Sequence, residues 1–210
     1  VLGLTQLPAA LPAAAAALVA FALIERRAAD PILPAWALRQ PGVVQANGVA
    51  LALTATTTPA MFLAILYQQE ELGRSALEAG LWSAPLNLAV IAGSTVTLRA
   101  AMPAGLVAIG AGACALLLGA LPVAFVLMGL GLGCASVAST AVGTAALPAG
   151  QQGVASGVLN AAAQIGTAVG LAMFVPLGAR AGWIAVAVLA LAAATGSLRT
   201  SRRRPTTLRR

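Results

Sequence analysis

The sequence has no histidine and no lysine, and its one aspartate, Asp30, stands in a polar loop. Its four glutamates, Glu25, Glu70, Glu71 and Glu78, also lie outside the apolar runs or at their edges. No pair of titratable groups can therefore meet at membrane depth to act as acid, base or metal cage, and an enzyme is not expected. A retinal or ion pump is excluded on the same ground, since it needs an intramembrane lysine or carboxylate. The two cysteines, Cys114 and Cys134, fall mid-run without a histidine or acidic neighbour. They read as small buried apolar residues, and no metal site is expected. No period-2 alternation suggests a membrane β-barrel, and no glycine-rich phosphate loop follows a strand. No cofactor is expected.

What fills the chain is apolar sequence. Hydrophobic residues make up 60% of it and charged ones 8%, with a mean hydropathy of +0.94. Crossing a bilayer takes about 20 apolar residues in a helix, because lipid leaves no other way to satisfy backbone N–H and C=O groups. Spans are predicted near 8–24, 43–66, 76–98, 103–120, 122–145, 154–176 and 182–198, which makes an all-α membrane protein. The chain begins at Val1 with no charged segment before the first span, so it is read as part of something longer and without a signal peptide. The division expected is an extra transmembrane helix and cytoplasmic linker over 1–42, a six-helix domain over 43–198 and a disordered basic tail over 199–210.

Charge sets the expected orientation. With the loop of Glu25, Arg26, Arg27 and Asp30 in the cytoplasm, only Arg74 and Arg180 of the 12 arginines fall outside. The opposite orientation would invert the positive-inside rule. Tyr67, Trp82 and Trp183 are then expected near the outer interface and Trp36 near the inner one, in a multi-pass cell-membrane protein with a cytoplasmic C-terminus. The net charge of +7 is mostly cytoplasmic flank and tail, so it fits anionic lipid rather than nucleic acid as partner.

Polar residues recur as stripes along some spans. The second span carries Asn47, Thr54, Thr58, Met61 and Gln68 on one helical face, and the third carries Ser83, Asn87, Ser94 and Thr97. The fifth carries Gly129, Gly133, Ser136, Thr140 and Thr144, and the sixth Gly153, Gly157, Asn160, Gln164 and Thr167. The first, fourth and seventh have none. Leaving out the first, the order is striped, striped, plain, twice over, the pattern of a 3+3 inverted repeat. Striped helices should face other helices or a cavity, with Asn47, Asn87 and Asn160 pointing into the bundle, and plain ones can face lipid. Ordinary packing in any helical bundle would also produce such stripes. Alone, the polar inner face should be left uncovered as an open concave surface.

Several motifs have a local physical meaning. Ser75-x-x-Glu78 fits a capping box, which competes with a proton-carrying role for Glu78. Gly129-x-x-x-Gly133, Gly153-x-x-x-Gly157 and Gly166-x-x-x-Gly170 allow close backbone approach, as static packing or as sliding surfaces. Pro59, at the end of Thr54-Ala55-Thr56-Thr57-Thr58-Pro59, removes a helical donor, giving a kink or a hinge.

Three segments carry a resemblance. Glu25-Arg26-Arg27-Ala28-Ala29-Asp30-Pro31-Ile32-Leu33-Pro34, then Tyr67-Gln68-Gln69 with Leu72-Gly73-Arg74-Ser75-Ala76-Leu77-Glu78-Ala79-Gly80-Leu81, then Gly153-Val154-Ala155-Ser156-Gly157-Val158-Leu159-Asn160 with Gln164, Gly166 and Gly170 follow one another. In this order they resemble the C-terminal portion of EmrB/QacA-like fourteen-helix drug:proton antiporters of the major facilitator superfamily. The chain departs from that pattern at Ala163, where the family usually has Arg, and at Thr167, where it has Gly; the loops at Leu98-Arg99 and Gly178–Gly182 are short. The resemblance implies one extra helix plus a six-helix C-terminal domain of a proton-coupled efflux transporter. Its substrates would be small and amphipathic, often cationic, moved with protons by alternating access together with a missing N-terminal half. Substrate-cavity candidates are Asn47, Thr54, Thr58, Ser83, Asn87, Ser136, Thr140, Asn160 and Gln164, with Asn87 and Asn160 foremost. Pro59, Gly129, Gly133, Gly153, Gly157, Gly166 and Gly170 are packing or hinge candidates. The departures keep open the alternative of a non-transporting remnant or small membrane scaffold.

Overall fold

A computed structural model of the chain describes residues 16, 19–20, 23–24, 35–96 and 100–202. The loop motif over 25–34, Thr97 and Arg99, most of the span expected over 8–24 and residues 203–210 lie outside them. The chain divides after Arg39 into two compact units. In the first, Ala35–Leu38 form one helical turn. The second, from Gln40 on, holds six α-helices among its described residues: α1 (Pro41–Glu70), α2 (Ala76–Ser94), α3 (Ala101–Leu117), α4 (Leu121–Ala145), α5 (Gln152–Phe174) and α6 (Ala179–Arg202). Single 3-10 turns, Ala149–Gln151 and Val175–Leu177, flank α5. No strand occurs among the described residues.

Among the described residues, five helical segments are long and apolar enough to cross a membrane; α3, at 17 residues, is shorter. The last helix continues to Arg202, four residues into the stretch expected as a tail. Local chemistry explains the ends. Pro41 opens α1, where a missing N–H costs nothing. The Ser75 hydroxyl accepts from the Glu78 N–H (3.3 Å), while the Glu78 carboxylate accepts from the Ser75 N–H and hydroxyl, both at 2.8 Å, so α2 starts on a complete capping box. Gly73, Gly119 and Gly178 adopt positive φ of 64°, 75° and 77° in the turns between helices.

The helices pair crosswise. α2 packs along α4 and α5 along α1, while α3 lies against α4 and α6. Glycines permit the first two pairings. A Cβ at Gly129 or Gly133 would collide with the Leu86 or Val90 carbonyl of α2, and one at Gly166 or Gly170 with the Leu51 or Ala55 carbonyl of α1. Gly153 and Gly157 differ: among the described residues no atom beyond their own helical turn stands within 4 Å of such a Cβ, and both residues are exposed. They do not bring two helices together, because α5 turns that side away from α1.

The core gathers Leu53, Leu106, Ile109, Leu116, Phe125, Met128 and Val186. Trp183 belongs to it too. It is 2% exposed, stacks edge-on with Tyr67 at 5.5 Å and donates to the Ala60 carbonyl at 3.3 Å. The ring expected near the outer interface is thus turned into the bundle, beside Tyr67, where the indole N–H finds its acceptor. Trp36 and Trp82 are exposed. Plain α3 is also more buried than expected, since Leu106, Ile109, Ala113 and Leu116 face α4 and α6; its opposite face, Ala104, Val107, Ala111 and Cys114, is exposed and apolar. The striped helices α2 and α5 bury least, 28% and 22% of their apolar windows against 61% for α1.

Candidate functional site: a neutral polar cleft between α1, α4 and α5

A cleft of about 260 Å³ opens where α1, α4 and α5 meet. From α1 come Ala50, Leu53 and Thr54, from α4 Ser136, Ser139 and Thr140, and from α5 Ser156, Leu159, Asn160 and Ala163. Helical periodicity produces each set. Positions 50, 53 and 54 share a face of α1, 136, 139 and 140 share one of α4, and 156, 159, 160 and 163 share one of α5. The cleft lies toward the end of the bundle where the 3-10 turn joins α4 to α5, since Thr140 and Ser156 are each about a turn from that connection.

Its floor is tied down. The Thr54 hydroxyl donates across the helix boundary to the Ala163 carbonyl at 2.6 Å. Gly166, one turn further along α5, leaves room for that approach. Ser139, 1% exposed, donates to the Ser136 carbonyl at 3.0 Å, and Ser156 to the Gln152 carbonyl at 3.1 Å. Among the described residues, the side chains of Ser136, Thr140 and Asn160 make no hydrogen bond. They present unused donors and acceptors to whatever enters.

Four sequence-selected candidates, Thr54, Ser136, Thr140 and Asn160, therefore meet in one place. The others do not line it. Asn47 is half-buried and its amide donates to the Val43 carbonyl at 2.9 Å, leaving its Oδ1 buried and unpaired. Thr58 is half-buried, and Ser83 is buried with its hydroxyl on the Ala79 carbonyl at 2.8 Å. Asn87 and Gln164 are exposed and outside the cleft's lining; Asn87 stands beside Leu88 and Ile91, 68% and 65% exposed. Asn87 thus does not point into the bundle as expected, while Asn160, though exposed, lines the open side of the cleft; among the described residues no helix covers the face that carries Asn87. Ser139 and Ser156 were not selected from sequence, although Ser139 sits one turn from Ser136 and Ser156 is inside the Gly153–Asn160 motif.

A second polar cluster fixes the α1–α2 turn. Gln68, fully buried, accepts from the Arg74 guanidinium at 2.8 Å, which lies 4.2 Å over the Trp82 ring.

Comparison with known proteins gives two relatives, both named for antibiotic resistance. The chain is 32% identical to the puromycin resistance protein pur8 of Streptomyces alboniger over 195 residues, covering 80% of this chain and 38% of that protein. It is 38% identical to a lincomycin resistance protein of Streptomyces lincolnensis over 81 residues, 39% of this chain and 17% of that one. The chain thus spans well under half the length of either relative. No family model and no solved structure matches. Its apolar helices and these relatives together fit a multi-pass membrane protein.

Proposed function

We propose that the chain is the C-terminal portion of a major facilitator drug efflux transporter of the EmrB/QacA-like kind, proton-coupled and working by alternating access with an N-terminal half. The observation that carries this is the polar cleft of α1, α4 and α5 inside an otherwise apolar bundle, uncovered on one side. The puromycin and lincomycin resistance relatives add a drug as cargo. The crosswise pairing supports a 3+3 repeat: the second helix of each three-helix unit packs on the first helix of the other, α2 on α4 and α5 on α1.

The parts then divide the work. The cleft holds one portion of an amphipathic substrate, and the N-terminal half closes over it. The proton-binding carboxylate comes from that other half, because helices α1, α4 and α5 carry no acid away from the end of α1 and the Glu78 carboxylate is engaged by Ser75. The loop before Gln40 and the C-terminus lie in the cytoplasm, with Arg74 outside. A non-transporting membrane scaffold is the competing reading, favoured by Ala163 in place of the family's arginine.

The test joins the chain to its N-terminal half in a drug-sensitive bacterial host and measures puromycin efflux beside protein abundance. Efflux above the empty vector, lost in Asn160→Trp at normal abundance, is the expected outcome. No efflux from an abundant, membrane-inserted protein would leave the scaffold.

A further inference from the structure

The cleft's chemistry narrows what it can hold. Among the described residues, every polar side chain lining it is a hydroxyl or a carboxamide, and no charged residue occurs from Gln40 to Gln69 or from Ala100 to Ala179. A cation or anion seated there would lose its water with no counter-charge in the three lining helices save Glu70, about four turns beyond Thr54 at the far end of α1, a cost that neutral dipoles do not offset.

Hydrogen-bond bookkeeping gives the direction of recognition. The hydroxyls of Thr54, Ser139 and Ser156 spend their single protons on backbone carbonyls, so each faces the cleft with acceptor lone pairs alone. Ser136, Thr140 and Asn160 keep both kinds of group free. Acceptors therefore outnumber donors, beside an apolar wall of Leu53 and Leu159. The volume of about 260 Å³ is just below that of a site enclosing a whole drug-sized molecule, so one moiety fits.

We infer that the cleft selects the uncharged, hydrogen-bond-donating part of an amphipathic ligand, such as a hydroxyl- or amide-bearing head, and leaves any charge of that ligand outside it. This rests on the cleft being a substrate-contact site, as proposed above, and departs from the cationic preference implied by the resemblance.

The test uses the full chain in lipid nanodiscs and equilibrium dialysis with two radiolabelled probes. Chloramphenicol is neutral and carries two hydroxyls and an amide N–H; tetraphenylphosphonium is a permanent cation without a donor. Chloramphenicol binds and is lost in Asn160→Trp, which fills the cleft from its exposed side, while Thr140→Val weakens it about fivefold. Tetraphenylphosphonium shows only lipid partitioning that Asn160→Trp leaves unchanged, and Asn160→Asp, close in shape, gains a specific component for it. Specific tetraphenylphosphonium binding to the natural chain, abolished by Asn160→Trp, would overturn the inference and spare the transport reading. So would the absence of any gain in Asn160→Asp, since charge would then not decide selection. Chloramphenicol binding that Asn160→Trp does not alter, or no binding at all, would overturn both.

Discussion

Helix α5 carries two glycine pairs at the same spacing, and they meet opposite surroundings. Gly166 and Gly170 lie against the backbone of α1, where a methyl group has no room, whereas Gly153 and Gly157 look into open space. About two and a half turns apart on one helix, the motif closes a seam in one place and opens a face in the other. Between them the Thr54 hydroxyl reaches Ala163, so the seam's first hydrogen bond is also the cleft's floor. The α2–α4 seam follows the first pattern: Gly129 and Gly133 are filled by the carbonyls of Leu86 and Val90. A small-residue motif states that backbones can approach; only the rotation of the helix decides whether one does.

The comparison can be broken by substitution. Gly170→Val should have the largest effect, because its side chain meets Ala55 backbone atoms that cannot rotate away. A loss of about 3 kcal/mol or failure to insert is expected, measured by denaturant titration in micelles. Unchanged stability would mean that the seam is not formed. Thr54→Val removes one interhelical hydrogen bond while keeping the shape, and about 0.6–1 kcal/mol should disappear in the same titration. Gly157→Ala has the smallest effect and the opposite sign, a gain of up to about 1 kcal/mol from helix propensity alone, because nothing occupies the space the methyl would take. A loss there would place another helix against that face.

The helices themselves were legible. The span expected at 43–66 is α1, and those at 122–145 and 154–176 are α4 and α5, each displaced by a few residues. The capping box was legible because Ser75 and Glu78 depend only on local spacing. The stripes located Thr54, Ser136, Thr140 and Asn160, since a face with period 3.6 can be read along one helix. What periodicity cannot provide is the angle at which that face meets its neighbours. For this reason Asn47 and Asn160, selected on equal terms, separate into a half-buried amide bonded to its own helix and an exposed one lining the cleft. Ser139 was missed because its role depends on α1 and α5 standing opposite. The burial of Trp183 was not legible because its acceptor, the Ala60 carbonyl, is 123 residues away in sequence.

The same helix allows the most direct test of the central claim, that the exposed polar side of α5 lines a water-filled path while its exposed apolar side meets lipid. Single cysteines at Gly157, Asn160 and Gln164, and at Ile165 and Val169, would be introduced into a Cys114→Ala, Cys134→Ala background. Labelling by a water-soluble, membrane-impermeant maleimide would then be followed in open membrane vesicles. All five positions are exposed in the structure, so access to the bundle surface does not distinguish them. Rapid labelling at 157, 160 and 164 with protection at 165 and 169 is the expected result. Equal labelling on both sides, or protection of the polar side, would contradict the claim.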